Sequence, residues 1–138
     1  MDEAEARRRF AAERVARLAT VTPDGRPHLV PVVFALEGDR VWTIVDRKPK
    51  RTPDLRRLAN LRADPRASLL VDGYDDRDWT ALWWVRADGA GVVLDDPGDV
   101  ARAAGILAAK YPQHVEDPPG GPALAIDVER WVGWTARA

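Results

Sequence analysis

Residues 17–34 read RLATVTPDGRPHLVPVVF, and this stretch decides the expected fold. Its centre, Thr22-Pro23-Asp24-Gly25, is a strong turn signal, because proline suits the first central position and Asp-Gly supplies the tight return. Apolar and β-branched residues flank the turn and predict two antiparallel strands, at residues 15–21 and 27–36. A second short turn leads into a third strand at residues 40–45, so the chain begins as a meander of strands.

The rest of the chain alternates helices with further strands. Amphipathic spacing and start signals predict helices at residues 2–13, 52–64 and 97–111. Strand composition recurs at residues 66–72, 82–88 and 124–134, with a glycine-rich bend at 89–91 and a Pro- and Gly-rich loop at 114–122. The first strands have no crossover helices, which disfavours a doubly wound parallel sheet. The order favours an α+β fold of about six strands, closed or partly closed into a small barrel.

Size and composition limit the classes of protein to which the chain can belong. A chain of 138 residues fits one domain, residues 1–138, and no linker divides it. Hydrophobic residues make up 46% and charged residues 31%, as in a globular protein. No apolar run reaches the ~20 residues that span a bilayer, and the charged N-terminus lacks the apolar core of a secretory signal. We therefore expect a cytoplasmic protein, and a net charge of −1 predicts no general attraction to nucleic acid or membrane.

The inventory of reactive side chains is small. Cysteine is absent, which excludes disulfides, Fe–S clusters and thiolate chemistry, and two histidines are too few for a three-histidine metal site. The single serine, Ser68, lies within a predicted strand without the glycines of a nucleophile elbow. No metal site and no catalytic residue are predicted. If the chain is an enzyme, a cofactor should supply the reactive atom while the protein binds and orients it.

A basic loop is the clearest candidate for ligand binding. It comprises Arg47, Lys48, Lys50 and Arg51, between the third strand and a helix for which Thr52 is a suitable N-cap. Positive side chains beside the unpaired N–H groups of a helix start are suited to a phosphate or a carboxylate. A solvated basic turn is the alternative, since the loop lacks the glycines of a Walker or Rossmann phosphate loop.

Six tryptophans are unusual in so short a chain. Trp83 and Trp84 are adjacent on a predicted strand, so their side chains face opposite sides of the sheet. Trp131 and Trp134, on the last strand, also face opposite sides. Packing in the core is a sufficient explanation for Trp83 or for Trp84 when each is taken by itself. The pair, however, puts one indole outside the barrel unless both faces are covered, and an exposed indole favours a dimer interface or a flat aromatic ligand.

The order and spacing of these features resemble the pyridoxamine 5'-phosphate oxidase-like split β-barrels, and in particular their F420-dependent branch. The resemblance rests on the hairpin at residues 17–34, the third strand with its basic loop, LANLRADPRASLLV at residues 58–71 and LWWVRADG at residues 82–89. It covers nearly the whole chain. It implies a six-stranded antiparallel split β-barrel with short helices, and a homodimer with equivalent cofactor sites at the subunit interface.

The same resemblance implies cofactor-binding residues. The cofactor would be coenzyme F420 or FMN, with its ring in the interface groove and its phosphate held by the basic loop. The implied phosphate-binding residues are Lys48, Lys50 and Arg51, with Arg47 as a further candidate. The implied ring-lining residues are Pro31, Val32 and Val33, and Thr43 and Val45 lie on the strand that approaches the ring. The loop departs from the family's usual Ser-Arg-Lys, which leaves open which lysine takes the phosphate.

The implied function is hydride transfer from the reduced cofactor to a small unsaturated or quinone-like molecule, with Trp83 or Trp84 as an aromatic wall. F420 has a longer acidic tail than FMN, so the added charge of Arg56 and Arg57 on the next helix favours F420. The arginine-rich, actinobacterial-like composition points the same way, and FMN is the alternative cofactor. The alternative functions are a protein that binds flavin or F420 without turnover, and a structural dimer with no ligand.

Overall fold

Seven strands and several short helices form the described part of the structure, a computed structural model that covers residues 1–45 and 56–137. The helices are α1 (Glu3–Ala12), α2 (Arg56–Ala63), α3 (Pro97–Ala108) and α4 (Gln113–Glu116), and a 3-10 turn spans Trp79–Ala81. The strands are β1 (Ala16–Val21), β2 (Pro27–Val32), β3 (Ala35–Glu37), β4 (Arg40–Ile44), β5 (Arg66–Gly73), β6 (Trp83–Leu94) and β7 (Ala123–Thr135). Asp2 caps α1 and Asp96 caps α3, because each carboxylate accepts from the backbone of the first helical turn.

The sheet curls into a split barrel. Neighbouring strands are antiparallel and follow the order β2-β1-β5-β6-β7-β4-β3. Only Val33 and Phe34 separate β2 from β3 in the chain, yet these strands form opposite edges of the sheet. In a flat sheet of seven strands the edges would lie ~29 Å apart, whereas three steps of extended chain reach at most ~11 Å. The sheet must therefore bend until its edges meet, which confirms the predicted α+β split barrel.

The structure has seven strands where the sequence predicts six. The single strand expected at residues 27–36 is divided into β2 and β3, which pair with different strands. The strict alternation of buried and exposed side chains also fails at the division, because Phe34 and Ala35 are adjacent and both buried. The expected strand is wrong because the barrel closes within it.

β6 is longer than the sequence predicts. The glycine-rich bend expected at residues 89–91 is a bulge inside one continuous strand, with a register shift between Asp88 and Gly89. Glycine is required at the bulge, because a Cβ on Gly89 would lie 2.0 Å from the carbonyl oxygen of Asp127. The loop expected at residues 114–122 also differs, since it contains most of the short α4.

Side chains from β4 and from the segment after α3 hold the barrel closed. The Tyr111 hydroxyl accepts from the backbone N–H of Phe34 at 3.2 Å and lies 2.8 Å from the carbonyl oxygens of Phe34 and Arg14. The Thr43 hydroxyl donates to the carbonyl of Val33 at 2.9 Å. The backbone groups at the junction thereby find partners inside the protein, where water cannot supply them.

Lys110 packs on the same junction. Its ammonium nitrogen lies 3.9 Å from the centre of the Phe34 ring and donates to the carbonyl of Glu13 at 2.6 Å. Burial lowers the pKa of Lys110 to about 8, and the nearby charge of Arg14 adds to this shift. The side chain thus joins the end of α1 to the chain that follows α3.

Two apolar cores lie on the two sides of the sheet. The barrel interior holds a cluster that includes Leu18, Leu69, Val85 and Ile126. Phe10 of α1 closes this interior by packing on Phe34, with the ring centroids 4.8 Å apart. The second core lies under α3 and contains Trp42, Leu107 and Ala125. Across residues 1–45 and 56–137, every helix is too short or too polar to cross a bilayer.

Replacing Tyr111 by phenylalanine is expected to destabilise the protein by about 1–3 kcal/mol, because the backbone of Phe34 loses a buried hydrogen-bond partner. Urea unfolding followed by tryptophan fluorescence measures the change. Tyr74→Phe is the matched control, since the Tyr74 hydroxyl donates to Asp76 at the surface. An equal loss of stability in the two variants would contradict the role given to Tyr111.

Candidate functional site

The outer face of the barrel sheet carries the candidate site. Along β6, Val85 and Ala87 are fully buried in the barrel, so alternation turns Trp84, Arg86 and Asp88 outward. Their cross-strand neighbours are Asp72, Leu70 and Ser68 on β5, and Trp134, Val132 and Arg130 on β7. The face continues across β1 and β2 through Arg17, Ala19, Leu29 and Pro31.

One end of this face forms an apolar groove of about 590 Å³. Its main apolar lining residues are Leu29, Leu70, Tyr74, Trp84 and Trp134. The exposed fraction is 65% for Leu29, 64% for Tyr74 and 45% for Trp134, which is high for large apolar side chains that lie side by side. Contiguous apolar surface of this kind marks an interaction or ligand-binding surface.

A polar groove of about 600 Å³ adjoins the apolar groove. Its charged and hydroxyl lining residues include Arg66, Ser68, Asp88, Glu129 and Arg130. Ala19 and Ser68 line both grooves, so the two form one continuous depression on the outer face. The depression therefore has an aromatic end and a polar end.

Ser68, Arg86 and Asp88 form a hydrogen-bonded cluster where the grooves meet. Ser68 Oγ donates to Asp88 at 2.7 Å, and Arg86 Nε donates to the two carboxylate oxygens at 2.9 and 3.2 Å. Burial would raise the pKa of Asp88, but the hydrogen bonds from Ser68 and Arg86 outweigh it and hold that pKa below its ordinary value. Asp88 is therefore ionised at neutral pH. The guanidinium of Arg86 also lies 5.9 Å from the centre of the Trp84 ring, so the cluster adjoins the aromatic end.

Trp83 packs on the other side of β6 from Trp84, as strand alternation predicts. Its ring contacts the barrel core and lies 5.2 Å from the guanidinium of Arg9 on α1. The indole crosses the backbone of Gly73 so closely that a Cβ there would lie 2.0 Å from Trp83 Nε1. The edge of Trp83 also reaches the apolar groove. Because Gly73 has no side chain, the Trp83 indole can lie against the backbone there. That position of the indole forms one wall of the apolar groove.

The structure brings together some of the residues that the sequence assigns to a cofactor. Pro31 and Trp84 lie on the outer face, Pro31 opposite Arg17 in the β1–β2 ladder. The side chains of Val32, Thr43 and Val45 are buried near the barrel closure, away from that face. Half-buried Val33 packs against the second core.

The predicted basic loop, with Arg47, Lys48, Lys50 and Arg51, lies outside the described residues. The last described residue before it is anchored: Val45 donates its N–H to the carbonyl of Pro122 at 2.9 Å and accepts from the N–H of Gly121 at 3.1 Å. The point at which the loop leaves the barrel is thus tied to the start of β7.

The cluster of Ser68, Arg86 and Asp88 lies outside the set of predicted site residues. Ser68 lacks the motif of a nucleophile, and Arg86 and Asp88 fall in a stretch that is predicted as strand. The signal was nevertheless present, because Trp84, Arg86 and Asp88 follow one another at every second position of a strand and must share a face.

The fold and the depression define an antiparallel split-barrel protein with an extended groove on its outer face. The sequence profile of the pyridoxamine 5'-phosphate oxidase family matches residues 2–135, and the chain belongs to that family. No curated protein matches the chain significantly.

Solved structures share the fold across nearly the whole chain. A conserved hypothetical protein of Mycobacterium tuberculosis is 24% identical, with a TM-score of 0.77 over 99% of this chain and 86% of that one. An FAD-binding protein of Mesorhizobium loti is 23% identical, with a TM-score of 0.71 over 96% and 94%. The haem storage protein HutZ of Vibrio cholerae is 14% identical, with a TM-score of 0.71 over 96% and 93%. At these identities the similarity concerns the fold.

Replacing Gly73 by alanine is expected to displace the Trp83 indole and to destabilise the protein by about 1–3 kcal/mol, the usual result of overpacking. Near-ultraviolet circular dichroism reports the indole environment, and urea unfolding reports the stability. Gly120→Ala is the control, because a Cβ there meets nothing within 4 Å. If Gly73→Ala matched this control in both measurements, the close approach of Trp83 to the backbone would be contradicted.

Proposed function

We propose that the chain is an F420-dependent oxidoreductase that acts on a small unsaturated or quinone-like molecule, with FMN as the alternative cofactor. Its place in the pyridoxamine 5'-phosphate oxidase family supports a flavin-type cofactor. The depression on the outer face is the observation that carries the proposal, because its aromatic and polar ends suit a planar ring that is apolar at one edge and polar at the other. Its apolar part alone, about 590 Å³, falls within the usual size range of cofactor sites.

The residues of the depression fit such a ring. Trp84 and Trp134 are paired across β6 and β7 and offer flat apolar surface, while Ser68, Arg86 and Asp88 offer hydrogen-bonding groups beside it. When bound, a reduced deazaflavin or flavin supplies the hydride. The part of the protein is then to bind the ring, orient its face and keep water from it.

The phosphate of the cofactor is assigned to the basic loop. Lys48, Lys50 and Arg51, with Arg47, follow the anchored Val45 in the chain and would pair with a phosphate through charge-assisted hydrogen bonds. FMN ends in one phosphate, whereas F420 continues into an acidic tail. Arg56 and Arg57, at the start of α2, follow the loop in the chain, and this further positive charge favours F420.

No side chain is assigned as a proton donor. Asp88 is the carboxyl group at the centre of the depression, and its lowered pKa keeps it ionised at neutral pH. We therefore assign the proton that completes reduction of the substrate to solvent, and to the chain a role in binding and orientation.

We further propose that the protein is a homodimer whose seam runs over this outer face. Leu29, Leu70 and Trp134 expose apolar area that a second copy would bury, and burial of apolar area favours association. A seam at the depression would shield the ring from water and let both copies contribute to each site.

A non-catalytic F420- or FMN-binding carrier is the second candidate function. The lack of an assigned acid or base favours it, and relatives of the same fold are named as FAD-binding and haem storage proteins. Reduction of menadione or a nitroaromatic dye by the protein with reduced cofactor distinguishes an enzyme from a carrier. Turnover above the rate of free cofactor supports the enzyme.

Isothermal titration with F420 and with FMN tests the cofactor. We expect at least one to bind, and the double variant Lys48→Ala/Lys50→Ala to weaken that binding by ~1.5–3 kcal/mol through loss of phosphate contacts. Arg62→Ala, which removes a positive charge from the last turn of α2, is the control and should bind as the wild type does. Millimolar or weaker binding of both cofactors would overturn the proposed function.

Light scattering coupled to size-exclusion chromatography tests the dimer. Leu29→Asp is expected to yield folded monomers, because it would bury a carboxylate in the apolar seam. Val115→Asp is the matched control, since Val115 of α4 is also 65% exposed but lies away from the depression. A wild-type protein that runs as a monomer, or a Leu29→Asp variant that stays dimeric, would contradict the proposed seam.

A further inference from the structure

We propose that Ser68, Arg86 and Asp88 bind the imide edge of a planar heterocycle that lies across the outer face, so that they set the direction in which the ring is bound. This inference rests on the proposed function and adds to it the part of the ring that the protein recognises. An imide edge presents a carbonyl, an N–H and a second carbonyl in a row, and both flavin and deazaflavin rings carry one.

The position of the cluster supports this assignment. Ser68 lines both grooves, Arg86 lines the apolar groove and Asp88 lines the polar groove. A ring stacked against Trp84 with its long axis along β6 would therefore place one edge at the cluster, because Arg86 and Asp88 follow Trp84 on the same face of that strand. Trp134 lies directly across from Trp84 on β7, so the opposite, apolar edge of the ring would stay over the two indoles.

The hydrogen-bonding groups of the cluster complement an imide. Arg86 uses Nε for the carboxylate of Asp88, and a guanidinium has two further NH₂ groups that donate to carbonyl oxygens. Ionised Asp88 has more lone pairs than its bonds from Ser68 and Arg86 use, so it can accept from a ring N–H. The cluster thus offers donors and an acceptor side by side.

Desolvation gives a reason for these groups to take a ligand. Asp88 and Arg86 keep 29% and 39% of their side-chain surface exposed, on a face that otherwise includes large apolar side chains. A ring or a second copy that covers this face removes water from both charges, and the loss must be offset by new hydrogen bonds. An imide supplies them, whereas a purely apolar occupant does not.

Substitutions of the cluster test the inference by fluorescence titration with F420 and with FMN. We expect Asp88→Asn and Ser68→Ala to weaken binding about 10-fold or more, the scale of one charge-assisted hydrogen bond, and to shift the visible absorption band of the bound ring. Asp95→Asn is the matched control, since Asp95 also pairs with an arginine, Arg62 at 3.1 Å, but at an exposed site elsewhere. Ser68→Ala removes a single oxygen, so it keeps the test valid if Asp88→Asn fails to fold.

The imide itself is tested with lumiflavin and 3-methyllumiflavin, which carry the ring without a phosphate. The wild type should bind lumiflavin about 10-fold more tightly, because the methyl group removes the N–H donor. Equal affinity for the two rings, or cluster variants that bind cofactor as Asp95→Asn does, would overturn the inference and leave the proposed function standing. A wild type that binds neither F420 nor FMN would overturn both.

Discussion

The structure depends on one constraint, the two-residue connection between the edges of the sheet. Val33 and Phe34 join β2 to β3, and the sheet must curl into a barrel for so short a link to reach. Tyr111 and Thr43 then satisfy the backbone at this junction, and the Phe34 ring fills the space between Phe10 and Lys110. The apolar core inside the barrel follows from that curvature, and the depression lies on the other face of the same sheet.

The outer face combines properties that a simple solvent-facing sheet does not need. An apolar groove with large exposed side chains runs into a polar groove, and a charged cluster stands at the junction. Each charge in the cluster has an opposite partner, so the face can be covered at lower cost than isolated charges would allow. The proposed ring site and the proposed seam between two subunits both rest on this combination of apolar surface and paired charges.

Much of the fold could be predicted from local signals. The turn at residues 22–25 and the starts of the first and third helices are encoded within a few residues, and these elements form where the sequence predicts them. The division at Val33–Phe34 and the bulge at Gly89 could not be predicted, because each depends on strands far away in the sequence. Both the division and the bulge are determined by the strands that pair with these residues, and not by the strand preference of the residues themselves.

The candidate site was only partly predictable for the same reason. Strand alternation alone places Trp84 on the face opposite Trp83, and it does so whatever the partner strands are. The link between Ser68 and Asp88 requires the register of β5 against β6, which the residues of either strand alone do not specify. The phosphate-binding role of Lys48 and Lys50 stays a prediction.

The strand order also shapes how the chain reaches this structure. β4 pairs with β7, and the contact of Arg40 with Asp127 spans 87 positions of sequence. Because β7 is the last of the described strands, a chain emerging from the ribosome displays one edge of β4 unpaired until β7 has been synthesised. Long-range pairing of this kind slows folding, since loop closure precedes the contacts that stabilise it. We therefore expect a truncation within β7 to lower the solubility of the protein in the cell, because it exposes the edge of β4. This effect adds to the loss of stability that the missing core contacts cause.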